Sequence, residues 1–459
     1  MSDNRSTWTS RIGFILASAG AAIGLGAIWK FPYLAGSNGG SVFMFPYIIL
    51  SFTIGLVLLI AEVGLGRTGK GCIVTAYRAI AGKNWTIWGY LGVLTGFMVL
   101  CFYSTIGGWT LSYLIDSAVG KGLVSNQEEL GAIFGGLVSD PIKSMGFQAL
   151  FLFLTGWVVA YEISRGIEKI SKVLMPLLLV LVIVVIVRGV TLPGACNGRD
   201  FAHRRGASEG LAYLFSWNPE AFSWKSLLAA MGFTFFSLCI GCGCMLTYGS
   251  YLSQDSNLIN GCAWITFLAT AASILGGLMI MPAVFAFNLD PSAGPGLTFM
   301  TMPVVFAQLP FGQLFAFAFY LCLAVAAITS SVSLLELVVA FLVDELKMRR
   351  VTASLVSCIA MLAVGSLCTL SFGPLADIKP LFGRNFFDLF DYFTSNLSLP
   401  IGGLVICALV GIKRWAMMKD EIRMGSGVSE SMMSVFRGIL TVGCPLLIIV
   451  VLISGLMPS

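Results

Sequence analysis

The stretch that decides the fold runs from Trp8 to Tyr33 and reads WTSRIGFILASAGAAIGLGAIWKFPY. From Ile12 onward it is long and apolar enough to cross a bilayer, whose core of about 30 Å takes about 20 helical residues. Gly20, Gly24 and Gly26 nevertheless fall at mid-membrane depth, where glycine weakens a helix. One such cluster signifies close helix packing and nothing more. A second cluster, Gly241 and Gly243, lies at comparable depth in the run 225 to 252, five spans later. Paired interruptions of this kind are the pattern of two inverted repeats whose discontinuous helices meet at a midplane site. Backbone groups freed at a break must find a ligand, an ion or neighbouring protein, because lipid offers no partner.

The composition of the 459 residues agrees, with 57% hydrophobic and 11% charged, against about 45–50% and about 25% in soluble domains. A soluble globular domain could not cover its surface so sparsely, and a disordered chain would not carry so much apolar matter. A net charge of +5 over 459 residues provides no basic face for nucleic acid. Eleven apolar runs are expected to span the membrane: 11 to 36, 41 to 66, 86 to 120, 145 to 162, 168 to 190, 225 to 252, 257 to 287, 312 to 345, 352 to 372, 387 to 412 and 434 to 456. An odd number puts the termini on opposite sides. The excess of Lys and Arg, including Arg67, Lys70, Lys169, Lys172, Arg349, Arg350, Lys413 and Arg414, lies on the side of the N-terminus, which is therefore expected in the cytoplasm with the C-terminus outside. No cleavable leader is apparent, since the first apolar run is too long for a signal core. The 12 cysteines lie mostly inside apolar runs, apart from Cys196 in a polar loop. Cys239, Cys242 and Cys244 contain a CxxC spacing, but the only histidine, His203, is distant, so packed thiols are favoured over a metal or redox centre.

At the level of motifs, the Trp8–Tyr33 stretch resembles the first helix of the neurotransmitter:sodium symporters, the LeuT-type transporters. Further matches follow in family order: NGGSVFMFPY from Asn38, GWTLSY from Gly108, GIEKISKVLMP from Gly166, LPGA from Leu192, LTYGSYL from Leu246, GPGLTF from Gly294 and ITSSVSLLE from Ile328. The resemblance implies an all-α polytopic LeuT-type fold in one transporter domain, 1–459. Residues 11–190 and 225–412 would form a 5+5 inverted repeat with helices one and six broken, and 434–456 would add an eleventh helix. It implies a secondary active symporter of the plasma (inner) membrane that imports an amino acid with Na⁺ by alternating access, without other cofactors.

Carried over residue by residue, the resemblance assigns a second sodium site to the carbonyls of Gly20, Ile23 and Ala326 and the hydroxyls of Thr329 and Ser330. Neutral oxygens suit this hard cation. Where the family's first sodium site uses two Asn side chains, this chain has Ala27 and Ala269, whose methyl groups cannot coordinate Na⁺, so one ion is expected. The chloride site of relatives is also incomplete, since Tyr47, Ser237 and Ser273 fit but Phe233 stands in place of a Gln; chloride dependence is not expected. The amides of Leu25 and Gly26 and the Tyr103 hydroxyl would hold a substrate carboxylate. The carbonyls of Ala22, Phe236 and Ser237 would take its amino group, and Val99, Phe236, Cys239, Cys242, Ser330 and Leu334 would line an apolar or aromatic side-chain pocket. Lys30 with Asp391 resembles an outer gate, and Arg5 with Asp344, supported by Tyr251 and Trp8, an inner one. The spacing from Gly166 to Pro176 resembles a family motif linked to unwinding of span five. Loss of the first sodium site keeps open an uncoupled or proton-coupled carrier, or a channel or sensor with the same fold. No HExxH or GxSxG motif or paired intramembrane carboxylates suggest an enzyme.

Overall fold

The computed structural model describes residues 7–121, 123, 127–161, 163, 166–191, 206–287, 290–291 and 297–456. Arg5, Cys196, His203 and the LPGA motif lie outside the described residues. Among the described residues nine helices are long and apolar enough to cross a membrane. In chain order the elements that matter are α1 (Arg11–Ala22) and α2 (Gly26–Ser37), then α3 (Ser41–Gly69), α4 (Ile73–Ala81), α5 (Lys83–Ala118), α6 (Pro141–Ala160) and α7 (Ile167–Val190). They are followed by α8 (Trp224–Ser237), α9 (Cys244–Gly249), α10 (Leu258–Ala286), α11 (Gly312–Leu346), α12 (Arg350–Leu370), α13 (Phe386–Lys413), α14 (Trp415–Arg423) and α15 (Glu430–Gly455). α1 and α2 are one membrane run bent by 44° at its break. α8 and α9 fall within the expected sixth run, separated by the non-helical residues 238–243. Both interruptions expected from the glycines are thus present.

Two kinds of contact hold the helices. Where backbones cross closely, glycine is required: a Cβ on Gly66 of α3 would fall on the carbonyl of Leu246, and one on Gly249 of α9 would fall on that of Val63. Elsewhere buried polar groups join the helices. Gln148 of α6 donates to Ser104 Oγ at 2.9 Å and accepts from Thr369 of α12 at 2.8 Å, while Thr105 of α5 bonds Thr369 at 2.8 Å. Thr155 of α6 bonds Ser331 of α11 at 2.8 Å. These bonds join α5, α6, α11 and α12, with every partner satisfied inside the protein as a lipid environment demands.

A buried ion pair fixes the far end of α3. Arg67 donates through Nε to the Glu421 carboxylate of α14, through Nη1 to the Ser256 carbonyl at 2.5 Å and through Nη2 to the Glu421 carbonyl at 2.7 Å. Both side chains are nearly removed from solvent, at 0% and 6% exposure, so loss of one partner strands the other's charge. We expect Arg67→Met to cost about 3–5 kcal/mol of stability and Arg67→Met with Glu421→Met to restore most of it, as read by thermal unfolding of the purified protein.

Candidate functional site between two broken helices

The first break lies at Ile23 and Gly24. α1 ends where Ile23 leaves helical geometry (φ −86°, ψ 47°) while its N–H still reaches Ala19 O at 2.6 Å. The chain re-enters helix at Gly26 through a wide π-type turn. Leu25 N–H, orphaned by the break, donates to the Tyr103 hydroxyl of α5 at 3.0 Å. Gly24 has no room for a side chain: an added Cβ would overlap Ser330 Oγ and stand 2.8 Å from the Tyr103 hydroxyl. At Gly26 it would stand 2.6 Å from the Phe236 ring.

The second break, Leu238–Gly243, needs left-handed backbone at Cys239 (φ 51°), Gly241 (φ 91°) and Gly243 (φ 93°). Glycine adopts such angles freely, whereas Cys239 is strained. Gly241 N–H and Gly243 N–H both donate to Glu62 of α3, at 2.9 and 3.1 Å. Glu62 is fully buried. Sequence reasoning missed this residue, although an acid inside the run LVLLIAEVGLG is a signal in itself, since intramembrane charges are costly and kept for a purpose.

Between the breaks lies a cavity of about 40 Å³ lined by Ala21, Ala22, Gly24, Gly26, Val99, Tyr103, Phe236, Cys239, Cys242, Ser330, Leu334 and Leu399. The structure thus brings together most of the expected substrate residues and adds Ala21, Gly24 and Leu399. Two expected residues do not line it. Leu25 is fully buried beside Tyr103, and the Ser237 hydroxyl accepts from Tyr47 at 3.2 Å. The Tyr47 hydroxyl shares its one proton between Ser237 and Ser273, the latter at 3.0 Å, and the Phe233 ring packs 4.9 Å from that of Tyr47, so these hydroxyls close on one another beside an apolar wall. Ala27 and Ala269 are buried as expected of packing residues.

Around the expected sodium site, α1 meets α11. A Cβ on Gly20 would stand 3.3 Å from Thr329 Cβ. Ser330 donates to the Ala21 carbonyl, and Thr329 donates to its own helix at Val325 O (3.0 Å) and Ala326 O (3.1 Å). A hydroxyl that bonds back in this way keeps its lone pairs for a cation.

Each end of the cavity is closed. At one, Lys30 reaches Asp391 at 3.5 Å and lies 4.1 Å over the Phe236 ring. A further cavity of about 60 Å³ lies between this pair and the site, and Gly26, Tyr103 and Phe236 line both cavities, which makes Phe236 part of the partition. At the other end Trp8 donates through Nε1 to Tyr248 O at 3.0 Å and through its amide to Tyr251 O at 3.2 Å. The Tyr251 hydroxyl donates to Glu336 at 2.8 Å, and Glu336 is paired with Arg350. Asp344 accepts from Cys72 N–H at 2.7 Å. Arg350 and Glu336 are additions that the sequence did not disclose. No group of three or more His, Cys, Asp or Glu able to hold a metal occurs among the described residues.

Two broken helices facing one another across a small cavity are the arrangement of a membrane transporter's midplane site. The chain belongs to the sodium:neurotransmitter symporter family, whose pattern matches residues 5–123 and 144–458. It is 38% identical to the uncharacterized sodium-dependent transporter YhdH of Bacillus subtilis (strain 168), with 97% of each chain covered. It is 27% identical to the sodium- and chloride-dependent GABA transporter 2 of Homo sapiens, over 85% of this chain and 70% of the relative. The fold matches the crystal structure of MhsT in complex with L-phenylalanine, with a TM-score of 0.90, 36% identity and coverage of 98% and 100% of the two chains. The protein is a multi-pass, LeuT-type sodium-dependent transporter and not an enzyme.

Glu62→Ala would orphan two buried N–H groups, and we expect it to cost about 1–3 kcal/mol for each in thermal unfolding. Glu62→Gln keeps one acceptor oxygen and should lose about half as much.

Proposed function

We propose that the protein imports an apolar or aromatic amino acid together with one Na⁺, from outside the plasma (inner) membrane to the cytoplasm. The N-terminus would be cytoplasmic, 11–190 and 225–412 would be the two inverted repeats with 434–456 outside them, and access would alternate by one bundle of helices moving against another. The observation that carries this reading is the junction of α1 and α11, where Gly20 sits against Thr329 beside Ser330, while Ala27 and Ala269 leave the other family site without its two Asn side chains, with only Ser237 and the Ala22 carbonyl remaining. The ion would take the carbonyls of Gly20, Ile23 and Ala326 and the hydroxyls of Thr329 and Ser330. The substrate carboxylate would displace the Tyr103 hydroxyl from Leu25 N–H and bind between them and the Gly26 amide. The amino group would take the carbonyls of Ala22, Phe236 and Ser237.

The side chain would lie among Val99, Phe236, Cys239, Cys242, Ser330 and Leu334. This lining is apolar and rich in polarisable sulfur, which favours aromatic contacts. The relative MhsT was crystallised with L-phenylalanine. Lys30 with Asp391 would close the outer mouth, and Trp8, Tyr251, Asp344 and Arg5 the inner one. A single ion suffices for accumulation. One charge through 100 mV is worth about 2.3 kcal/mol and a tenfold gradient about 1.4, together about 500-fold at equilibrium.

Uptake into proteoliposomes across a panel of amino acids, with Na⁺ or K⁺ outside, tests the reading. Concentrative uptake should need Na⁺ and favour apolar or aromatic side chains, and Thr329→Ala should raise the half-saturating Na⁺ concentration at least tenfold. Uptake that is indifferent to Na⁺ would contradict coupling and favour a proton-coupled or uncoupled carrier; competition by small amino acids alone would contradict the pocket assignment.

A further inference from the structure

At the end of the molecule that the proposal above puts in the cytoplasm, Arg67, Arg78, Arg350 and Arg423 each meet a carboxylate, of Glu421, Glu345, Glu336 and Glu430 respectively. Lys83, Lys413, Arg414 and Arg437 pair with no carboxylate among the described residues, and they lie along one edge where α4 and α5 meet α13, α14 and α15. All four are exposed. Arg414 donates through Nε to Ile80 O at 2.7 Å and Lys413 through Nζ to Ala81 O at 3.1 Å, so both cap the last carbonyls of α4. Lys413 also lies 4.9 Å over the ring of Trp85, two residues beyond Lys83. Trp415, next to Arg414 in the chain, carries Arg437 of α15 at 5.6 Å over its ring.

These contacts fix the cations in place without exhausting them. Among the described residues Arg414 is held through Nε alone, which leaves both terminal nitrogens of its fork, and Lys413 through one of three N–H groups. The helix end that they cap carries only about half a negative charge, so the row keeps a large positive excess. Its level is that of a membrane surface. Trp85 and Trp415 are half-buried rings of the kind that settle at headgroup depth. The apolar side chains inward of the row, Ile87, Ile412 and Val442, are 64%, 70% and 58% exposed, as a wall that faces acyl chains.

We propose that Lys83, Lys413, Arg414 and Arg437 bind the phosphate of an anionic phospholipid, which bridges the corner of α4 and α5 to α13 and α15 while its chains lie over Ile87, Ile412 and Val442. The guanidinium fork of Arg414 suits two phosphate oxygens at once, and the lysines add point charges. A zwitterionic headgroup fits less well, because its own ammonium meets a row of cations. The exposed apolar wall beneath the row favours a lipid over free phosphate, since a lipid alone covers both. The site lies apart from the substrate cavity and needs nothing of the sodium reading, so the two stand or fall separately.

Native mass spectrometry of the purified full chain in detergent, given equal amounts of phosphatidylglycerol and phosphatidylcholine with the same chains, tests the site. A cation near the membrane surface is worth about fivefold in affinity for an anionic lipid, so the wild type should prefer phosphatidylglycerol by about 25-fold or more. Lys83→Gln and Arg437→Gln, whose side chains hold no hydrogen bond, should each lower that preference about fivefold and together about 25-fold. Arg349→Gln, which removes an exposed cation at the start of α12 on the same face, should leave it unchanged. Inorganic phosphate at millimolar concentration should not displace the lipid. Equal retention of the two lipids by the wild type would overturn the site, as would a loss in Arg349→Gln as large as in Lys83→Gln, which is the mark of diffuse charge. Displacement by inorganic phosphate would overturn the lipid assignment in favour of a free anion.

Discussion

The rest of this structure depends on one constraint, that a helix broken inside a membrane must satisfy its freed backbone groups with protein. At the first break Tyr103 accepts from Leu25 N–H, and at the second Glu62 accepts from Gly241 and Gly243 N–H. Each acceptor comes from a neighbouring continuous helix, α5 or α3, so the breaks are held by elements that are themselves intact. An unpaired buried N–H costs about 1–3 kcal/mol, which makes these acceptors as necessary to the site as the glycines that allow the backbone to turn. The two devices differ in what they leave available. Glu62 is committed to two amides, whereas Tyr103 holds one amide that a carboxylate can take over.

Closure follows from the same economy of partners. The cavity is small because the rings and hydroxyls that would contact a ligand contact one another: Phe236 under Lys30, Ser330 on Ala21, Tyr103 on Leu25. Opening either mouth exchanges these internal contacts for water or substrate, and the free-energy differences involved are those of a few hydrogen bonds. A carrier needs such near balance, since its conformations must interconvert and a ligand shifts them only by its differential affinity. The polar bonds among α5, α6, α11 and α12 tie those four helices to one another.

Much of this was legible in the sequence because it is local. The glycines at 20, 24 and 26 and at 241 and 243 mark both breaks, and ten of the eleven apolar runs, all but 225 to 252, match membrane-length helices or the bent pair α1 and α2 to within a few residues among the described residues. The pairing of Lys30 with Asp391 and most of the cavity lining were also anticipated, through the family resemblance. What escaped is what depends on distant pairing. Glu168 meets Thr9 across 159 positions, and Arg67 meets Glu421 across 354. No periodicity announces such partners, although Glu62, set in an apolar run, announced itself and was passed over. Ser237 was expected at the substrate through its carbonyl, while its side chain belongs to the Tyr47 cluster.

The central claim is that a single sodium ion, held where α1 meets α11, drives transport. It is tested most directly by the number of Na⁺ moved per substrate, read from the membrane potential and Na⁺ gradient that just balance an opposing substrate gradient in proteoliposomes. The account predicts a ratio of one, because Ala27 and Ala269 supply no second set of ligands. A ratio of two would contradict it and require a sodium site built from other oxygens.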